Sequence, residues 1–324
     1  MAMDNWTIRT KTYDSSLIGS TRQPDGSFVN LVLLDRGQPA GTLVYGATAD
    51  LEVRVFDKVL PPSRSVGVHP SDRVALFLMS DHAAKKVFWS RDMAPGHFAF
   101  AGPSSEIETF HAGRASYAMI SMKPAELMAS LSTEPRLHDP GFWTGRWVAP
   151  SATSGTDAVE RTRRVVNILT NLQAAQGSIS DPSADFWRRS IVEAFVSLAP
   201  NIIPEKPYDF VRSASRLVRE VEHYIDTRKH RPVHISEICS ELKVSRRSLH
   251  RAFDDVLGIG PVTFFRQKRL SDTYAALRRS GNAQTSVTAV AFEHGFSELG
   301  RFAQYYKSQF GELPSETLQR NRHR

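Results

Sequence analysis

Two stretches in the carboxy-terminal third repeat one plan that few folds can satisfy: a short apolar helix, a tight turn, and a second helix whose outward face is rich in arginine. In the first, His234-Ile235-Ser236-Glu237-Ile238-Cys239-Ser240-Glu241-Leu242 sets Ile235, Ile238 and Leu242 at three- and four-residue spacing, one buried helical face. Val244 fills the turn, and Ser245 stands where an N-cap is needed. The helix that follows turns Leu249 and Phe253 inward and leaves Arg246, Arg247, Ser248, His250 and Arg251 outside. In the second stretch Val287, Val290 and Ala291 face inward, Phe292 to Phe296 makes the turn, and Ser297 is expected to cap a helix with Phe302, Tyr306 and Phe310 as its buried stripe. Gly295 suits a turn that needs positive φ. The outward residues there are Ser297, Arg301 and Gln304. Between the stretches, 262 to 279 reads as one long helix, started by Pro261 and stopped by Ser280-Gly281-Asn282.

An arginine-rich helix face is by itself usually only a solvated surface, but two such units in register are the layout of a DNA reader. Arg246, Arg247, Arg251 and Arg301 can donate in pairs to guanine O6 and N7, and Gln304 can pair with adenine, while about half of these side chains are expected on phosphates. The long helix would fix the separation of the units, so that both second helices enter successive major grooves about 34 Å apart. Alternatively, the second unit only buttresses the first.

The run Ala289-Val290-Ala291-Phe292-Glu293-His294-Gly295-Phe296-Ser297, with Arg301-Phe302, Tyr306-Lys307, Phe310-Gly311 and Pro314-Ser315, resembles the second half of the AraC-type DNA-binding domain. Arg266-Gln267-Lys268-Arg269-Leu270 is similar to that family's linker-helix segment, and with the first unit the resemblance covers about the last hundred residues. Gly300 departs from the pattern, standing in a helix position usually held by a better helix former, at up to roughly 1 kcal/mol. The resemblance implies double-stranded DNA as partner, a cupin-like amino-terminal domain, a small-molecule effector, a homodimer, and RNA polymerase as a further partner if the protein activates.

Charge agrees with a division of labour. Up to Pro204 there are 20 Lys and Arg against 20 Asp and Glu; beyond it, 21 against 14, so the whole +7 lies in the carboxy-terminal part, where phosphates would be neutralised. The expected organisation is α+β: residues 1–200 a regulatory β-barrel domain with covering or dimerising helices, 201–211 a linker stiffened by Pro204 and Pro207, and 212–324 an all-α domain of two helix-turn-helix units.

In the first part, apolar runs at 28–34, 40–47, 51–56, 66–68, 74–79, 86–90, 98–101, 107–110 and 116–121 are punctuated by Gly, Pro, Asp and Ser, which predicts roughly nine strands. Residues 143–155 read as a loop. Amphipathic helices follow at 159–173 and 186–198, with Val165, Ile168, Leu169 and Leu172 on one face and Ile191, Ala194, Phe195 and Leu198 on the other helix's face. They could cover the barrel or pair two chains; the second subunit is preferred, because it supplies paired readers for a repeated site.

A metal-dependent cupin enzyme would need converging histidines with a carboxylate. Here His69, His82, His97 and His111 are isolated, read as turn or surface residues, and no G-x-S-x-G suggests acyl transfer. The expectation is no catalytic residue, no metal and no cofactor. One cysteine, Cys239, argues against disulfides and Cys-metal sites, and reads as a small core residue. No eighteen-residue apolar run and no signal-peptide pattern occur, so a soluble, cytoplasmic protein without a membrane partner is expected.

Nothing in the strands names an effector. Asp14-Ser15-Ser16-Leu17-Ile18-Gly19 fits D-x-S-x-x-G, however, and Arg212-Ser213-Ala214-Ser215-Arg216 fits R-x-x-x-R. Together these resemble the two signature motifs of PilZ-type receptors for cyclic di-GMP, although in reversed order and about 190 residues apart. The resemblance implies a ligand site of Asp14, Ser16, Gly19, Arg212 and Arg216: a carboxylate for guanine N–H groups, a hydroxyl for phosphate, and two arginines to clamp phosphate and base. A different effector in the barrel, an effector-independent DNA-binding protein and a cupin-type enzyme fused to a DNA reader are the alternatives.

Overall fold

The computed structural model describes residues 6–22, 27–82, 86–89, 91–130, 145–149, 155–175, 180–196, 213–228, 233–280 and 285–322. The strands are β1 (Thr7–Thr12), β2 (Gly19–Arg22), β3 (Phe28–Leu33), β4 (Ala40–Ala47), β5 (Leu51–Val68), β6 (Val74–His82), β7 (Lys86–Phe88), β8 (Arg91–Asp92), β9 (Phe98–Ala101) and β10 (Glu106–Met122). After a short helix α1 (Pro124–Ser130) comes β11 (Arg146–Ala149). They form one antiparallel sheet ordered β1-β4-β5-β10-β6-β9-β11, with β2-β3 added to β5 and β7-β8 added to β10. Among the described residues β1 and β11 are its two ends and do not pair with each other, so an antiparallel sheet is established and the closed cupin-like barrel is not.

The runs expected at 51–56 and 66–68 are one 18-residue strand, β5, and those at 107–110 and 116–121 are one 17-residue strand, β10. Prolines lack an N–H and normally end a ladder. Pro61 and Pro62 are tolerated because β5 changes partners there, pairing with β4 through Glu52–Val59 and with β3 through Ser63–Val68. β10 breaks at the same level, where its register with β5 shifts between His111 and Gly113. Strands β1 and β2, and β11 where a loop was expected, carry too few alternating apolar residues to stand out in the sequence.

Along a strand successive side chains face opposite ways. Leu51, Val53, Val55, Leu76, Leu78, Phe100 and Ile120 point to one face, which is covered by α2 (Gly155–Ala174) and α3 (Asp181–Val196) through Val165, Ile168, Leu169, Leu172, Ile191, Ala194 and Phe195. The apolar stripes of both helices are therefore satisfied within the chain, and Leu198 falls outside the described residues. The opposite face holds Phe77, Met79, Phe88, Trp89, Tyr117 and Met119, together with the buried polar side chains of Glu52 and Lys58. His69 and His111 are buried, not at the surface; among the described residues no group of three or more His, Cys, Asp or Glu could hold a metal ion.

The carboxy-terminal part is helical: α4 (Ser213–Thr227), α5 (Ile235–Glu241), α6 (Arg246–Leu257), α7 (Pro261–Arg279), α8 (Val287–Glu293), α9 (Leu299–Phe310) and α10 (Pro314–Arg322). The boundary expected at 201–211 lies outside the described residues. Arg320, within α10, pairs with Glu312. Among the described residues no helix is long and apolar enough to cross a membrane.

The end of β3 joins the two parts. Val32 and Leu34 enter the apolar core of the first helix-turn-helix unit beside Val218, Phe253 and Phe264, whereas Leu33, facing the other way, enters the core of the second with Leu270, Tyr274 and Phe310. Backbone carbonyls of the same segment are claimed by side-chain amides: Gln267 Nε2 donates to Leu34 O (2.5 Å), and Gln309 Nε2 to Leu33 O (3.2 Å) and Asp35 O (2.9 Å). Alongside, Arg64 of β5 is fully buried, donating to Glu222 of α4 (Nε to Oε1, 2.6 Å) and to Glu108 of β10 (Nη1 to Oε1, 2.8 Å). Burial opposes its charge, but Glu222 and Glu108 outweigh burial and hold the guanidinium above its ordinary range.

Candidate nucleic-acid interface

In the first unit, α5 begins with a reciprocal cap in which the ring of His234 accepts from Ser236 N (3.3 Å) and Glu237 Oε1 accepts from His234 N (3.2 Å). The turn closes with Val244 N donating to Cys239 O (3.0 Å), and Lys243 takes the left-handed conformation at φ 52°. Ser245 caps α6 as the sequence indicates, its hydroxyl oxygen accepting from Ser248 N at 3.0 Å. Leu249 and Phe253 are completely buried, while Arg246, Arg247, Ser248, His250 and Arg251 are exposed on the far face.

The second unit has the same turn: Phe296 N donates to Ala291 O (2.9 Å), and Gly295 holds φ 80° where Lys243 holds 52°. Its helix starts differently from expectation. Glu298, not Ser297, occupies the N-cap of α9, and no side chain caps it. Glu298 instead pairs with Arg301 (3.2 Å). Ser297, Arg301 and Gln304 are exposed, and Phe302, Tyr306 and Phe310 are buried as expected. A β-carbon at Gly300 would meet no atom within 4 Å, so this residue leaves open space on the exposed start of α9.

The exposed side chains are not equally available. Ser248 is engaged with Ser245 through both its N–H and its hydroxyl (2.9 Å), and Arg251 lies 3.8 Å from Asp255. Arg246, Arg247 and Gln304 have no such partner among the described residues. Sequence reasoning missed Leu299, an exposed apolar side chain at the first residue of α9, suited to a thymine methyl group. It also missed Arg266, whose guanidinium lies 4.6 Å from the half-exposed Tyr305 ring. Leu299 stands three residues before Phe302, at the spacing of a core position, so periodicity did not mark it as exposed.

The long helix α7 is part of the frame. Lys268 is buried and reaches Asp226 of α4 (2.8 Å); burial opposes its charge, but Asp272 and Asp226 overcome it and raise its pKa. Arg269 donates to Gly295 O (3.1 Å), which ties α7 to the second turn.

Of the residues singled out for a cyclic dinucleotide, Asp14 and Gly19 have local structural roles of their own. Asp14 is exposed and its carboxylate accepts from Ser16 N (2.7 Å), capping a 3-10 turn at Ser15–Leu17. Gly19, at φ 79°, is packed against α7 so closely that a β-carbon would stand 2.5 Å from that of Ala275. Arg216 is exposed on α4, one turn before Arg219, which approaches Glu108 on β10 (3.5 Å). Strands β2 and β10 are separated by β3 and β5, three strand spacings or about 14 Å. Arg212 lies outside the described residues.

Residues 238–320 match the family model described as a helix-turn-helix domain. The XylDLEGF operon transcriptional activator 2 of Pseudomonas putida is 36% identical over 98 residues, which are 30% of this chain and 62% of the relative. The "Probable thc operon regulatory protein" of Rhodococcus erythropolis is 33% identical over 102 residues, 32% of this chain and 31% of the relative. Among solved structures, a "probable AraC family transcriptional regulator" from Rhodopseudomonas palustris CGA009 is 42% identical, covering 33% of this chain and 99% of that one, with a TM-score of 0.31. The chain thus spans less than two thirds of the length of these curated relatives, and the identity is confined to about one third of it.

Proposed function

Since the carboxy-terminal third belongs to the AraC family of helix-turn-helix domains, we propose that this chain is a ligand-responsive transcriptional regulator that reads double-stranded DNA with α6 and α9. The observation that carries this reading is the pairing of two tightly turned units, each with its apolar stripe buried and with basic side chains, joined in the second by an amide, outward. Arg246 and Arg247 lead for guanine contacts, Gln304 for adenine, and Arg301 needs to leave Glu298 before it reaches a base. Activation, with RNA polymerase as partner, is the direction suggested by relatives named as transcriptional activators. Homodimerisation is proposed because exposed Phe186 and Trp187 at the start of α3 remain after both helices have covered the sheet.

Ligand response has a physical route. The end of β3 touches the cores of both units at once, so any ligand that moves the sheet changes how the two recognition helices sit relative to each other. Cyclic di-GMP, read from the two motifs, has less support, since Asp14 caps a turn and Gly19 packs on α7. Calorimetric titration with Asp14→Ala and Arg216→Ala variants tests it: binding lost in both would unite the motifs.

For the DNA reading, a duplex is selected from a random library by the full-length protein and its affinity measured by fluorescence anisotropy. Arg247→Ala and Gln304→Ala are each expected to weaken that duplex by about 1–3 kcal/mol and to weaken a random duplex much less. Failure to select any sequence, or variants that bind as the parent does, would sink the proposal.

A further inference from the structure

Among the described residues Lys58 is a buried cation without an anionic partner. It lies on β5 with 4% of its surface exposed, on the face of the sheet turned away from α2 and α3. Its ammonium is surrounded by aromatic rings: Tyr13 at 4.8 Å, Tyr117 at 5.1 Å and Phe56 at 5.3 Å from the ring centroids. Among the described residues the ammonium has one hydrogen-bond partner, the Tyr13 hydroxyl, at a long 3.4 Å. Among the described residues no carboxylate pairs with it. Glu52, on the same face of β5, is already taken by Arg54. An ammonium has three protons to donate, and buried cations are normally paired with an anion. The rings offset part of the lost hydration, because a cation over an aromatic face is attracted to it, but they supply no acceptor.

The surroundings define what would complete this site. Phe56 and Tyr117 stack on each other (4.6 Å, 18°), and Phe88 meets Tyr117 edge-on at 6.5 Å. Flat apolar walls thus stand next to a lone buried positive charge. We propose that Lys58 and the rings around it form the effector site of this protein, and that the effector is a small organic anion: a carboxylate that takes the ammonium protons, on a flat or unsaturated apolar body that lies against Phe56 and Tyr117.

This names the effector class of the regulator proposed above and rests on that reading only for its consequence, not for the binding itself. The consequence follows from connectivity. Lys58 and Arg64 share β5 on either side of Pro61-Pro62, and Arg64 is the residue locked to Glu222 of α4. A ligand that re-seats Lys58 pulls on the strand that holds the DNA-reading part.

The test uses the full chain and two probes, phenylacetate and octanoate, with phenylacetamide as a neutral twin of the first. Binding is followed by calorimetry and by the shift in Tm. One of the anions is expected to bind and to raise Tm, while the amide does not. Lys58→Met should lose roughly tenfold or more in affinity, and Lys58→Arg should keep most of it. Equal responses to acid and amide, no response to either anion, or an unchanged affinity in a folded Lys58→Met would each overturn the proposal. The effect of the bound anion on DNA affinity is read separately, so that an anion that binds without altering DNA affinity would refute the regulatory reading and leave the site standing.

Discussion

At pH 7 the side chain of Lys58 is a base in the wrong medium: burial alone pushes its pKa down from 10.5 to about 7. The groups facing it do not relieve this. Tyr13 and Tyr117 are themselves held protonated by burial, Glu52 is paired with Arg54, and His111 stacks on Tyr117. A drop of that size corresponds to roughly 5 kcal/mol of destabilisation when the amine must be charged in both states. Below pH 7 the folded and unfolded forms both carry the proton, and the whole penalty applies. Between pH 7 and 10.5 the unfolded chain keeps a proton that the folded one has shed, so stability rises with pH and the penalty fades. Lys58→Met is therefore expected to stabilise the ligand-free protein by several kcal/mol at pH 6 and by little at pH 10. Denaturant melts of both proteins at the two pH values check this, and a gain independent of pH would show that Lys58 titrates alike in the folded and the unfolded chain, with no burial penalty on its charge.

The two helix-turn-helix units look alike in sequence and differ in one element boundary. Ser245 caps α6, whereas Ser297, at the matching place after the turn, yields the N-cap to Glu298. Ser245→Ala should thus cost about 1 kcal/mol of stability and Ser297→Ala close to none, measurable as a difference in urea midpoint. Equal losses would place Ser297 in the cap after all. This boundary illustrates what was legible. The helices between 235 and 310, the turn at Gly295 and the buried faces of α6 and α9 follow from three- and four-residue spacing, because one helix carries its whole pattern locally. The strands were legible where they alternate or are continuously apolar. The joining of 51–56 to 66–68 was not, because Pro61 and Pro62 read as a stop and only the exchange of β4 for β3 makes them harmless. Lys58 was silent for a related reason: a lysine in a strand reads as solvent-facing until β1, β5 and β10 are assembled around it. The D-x-S-x-x-G match likewise had a local explanation that spacing could not reveal, a turn cap at Asp14 and a close helix contact at Gly19.

At the scale of the molecule the junction is held by charge as much as by apolar packing. Arg64 is 1% exposed and binds Glu222 from the DNA-reading part and Glu108 from the sheet, while Arg219 of α4 reaches back to Glu108. Removing one member of a buried ion cluster leaves its partners uncompensated, typically at about 3–5 kcal/mol, whereas replacing the cluster by apolar groups is often neutral. Arg64→Met is therefore expected to loosen the junction strongly, and Arg64→Met combined with Glu222→Leu and Glu108→Leu to recover much of the loss. What distinguishes a switch from a mere brace is the DNA. If the sheet sets the relation of the two units, Leu33→Ala, which trims the contact to the second unit, should alter the affinity of the selected duplex for the full chain while Arg247 and Gln304 stay in place. The same loss of thermal stability with unchanged DNA affinity would mean that β3 only supports the helices and that ligand control is exerted elsewhere. Because Leu33 lies on the segment whose neighbours Val32 and Leu34 pack into the first unit, the two outcomes separate a rigid body from one whose two readers can be set against each other.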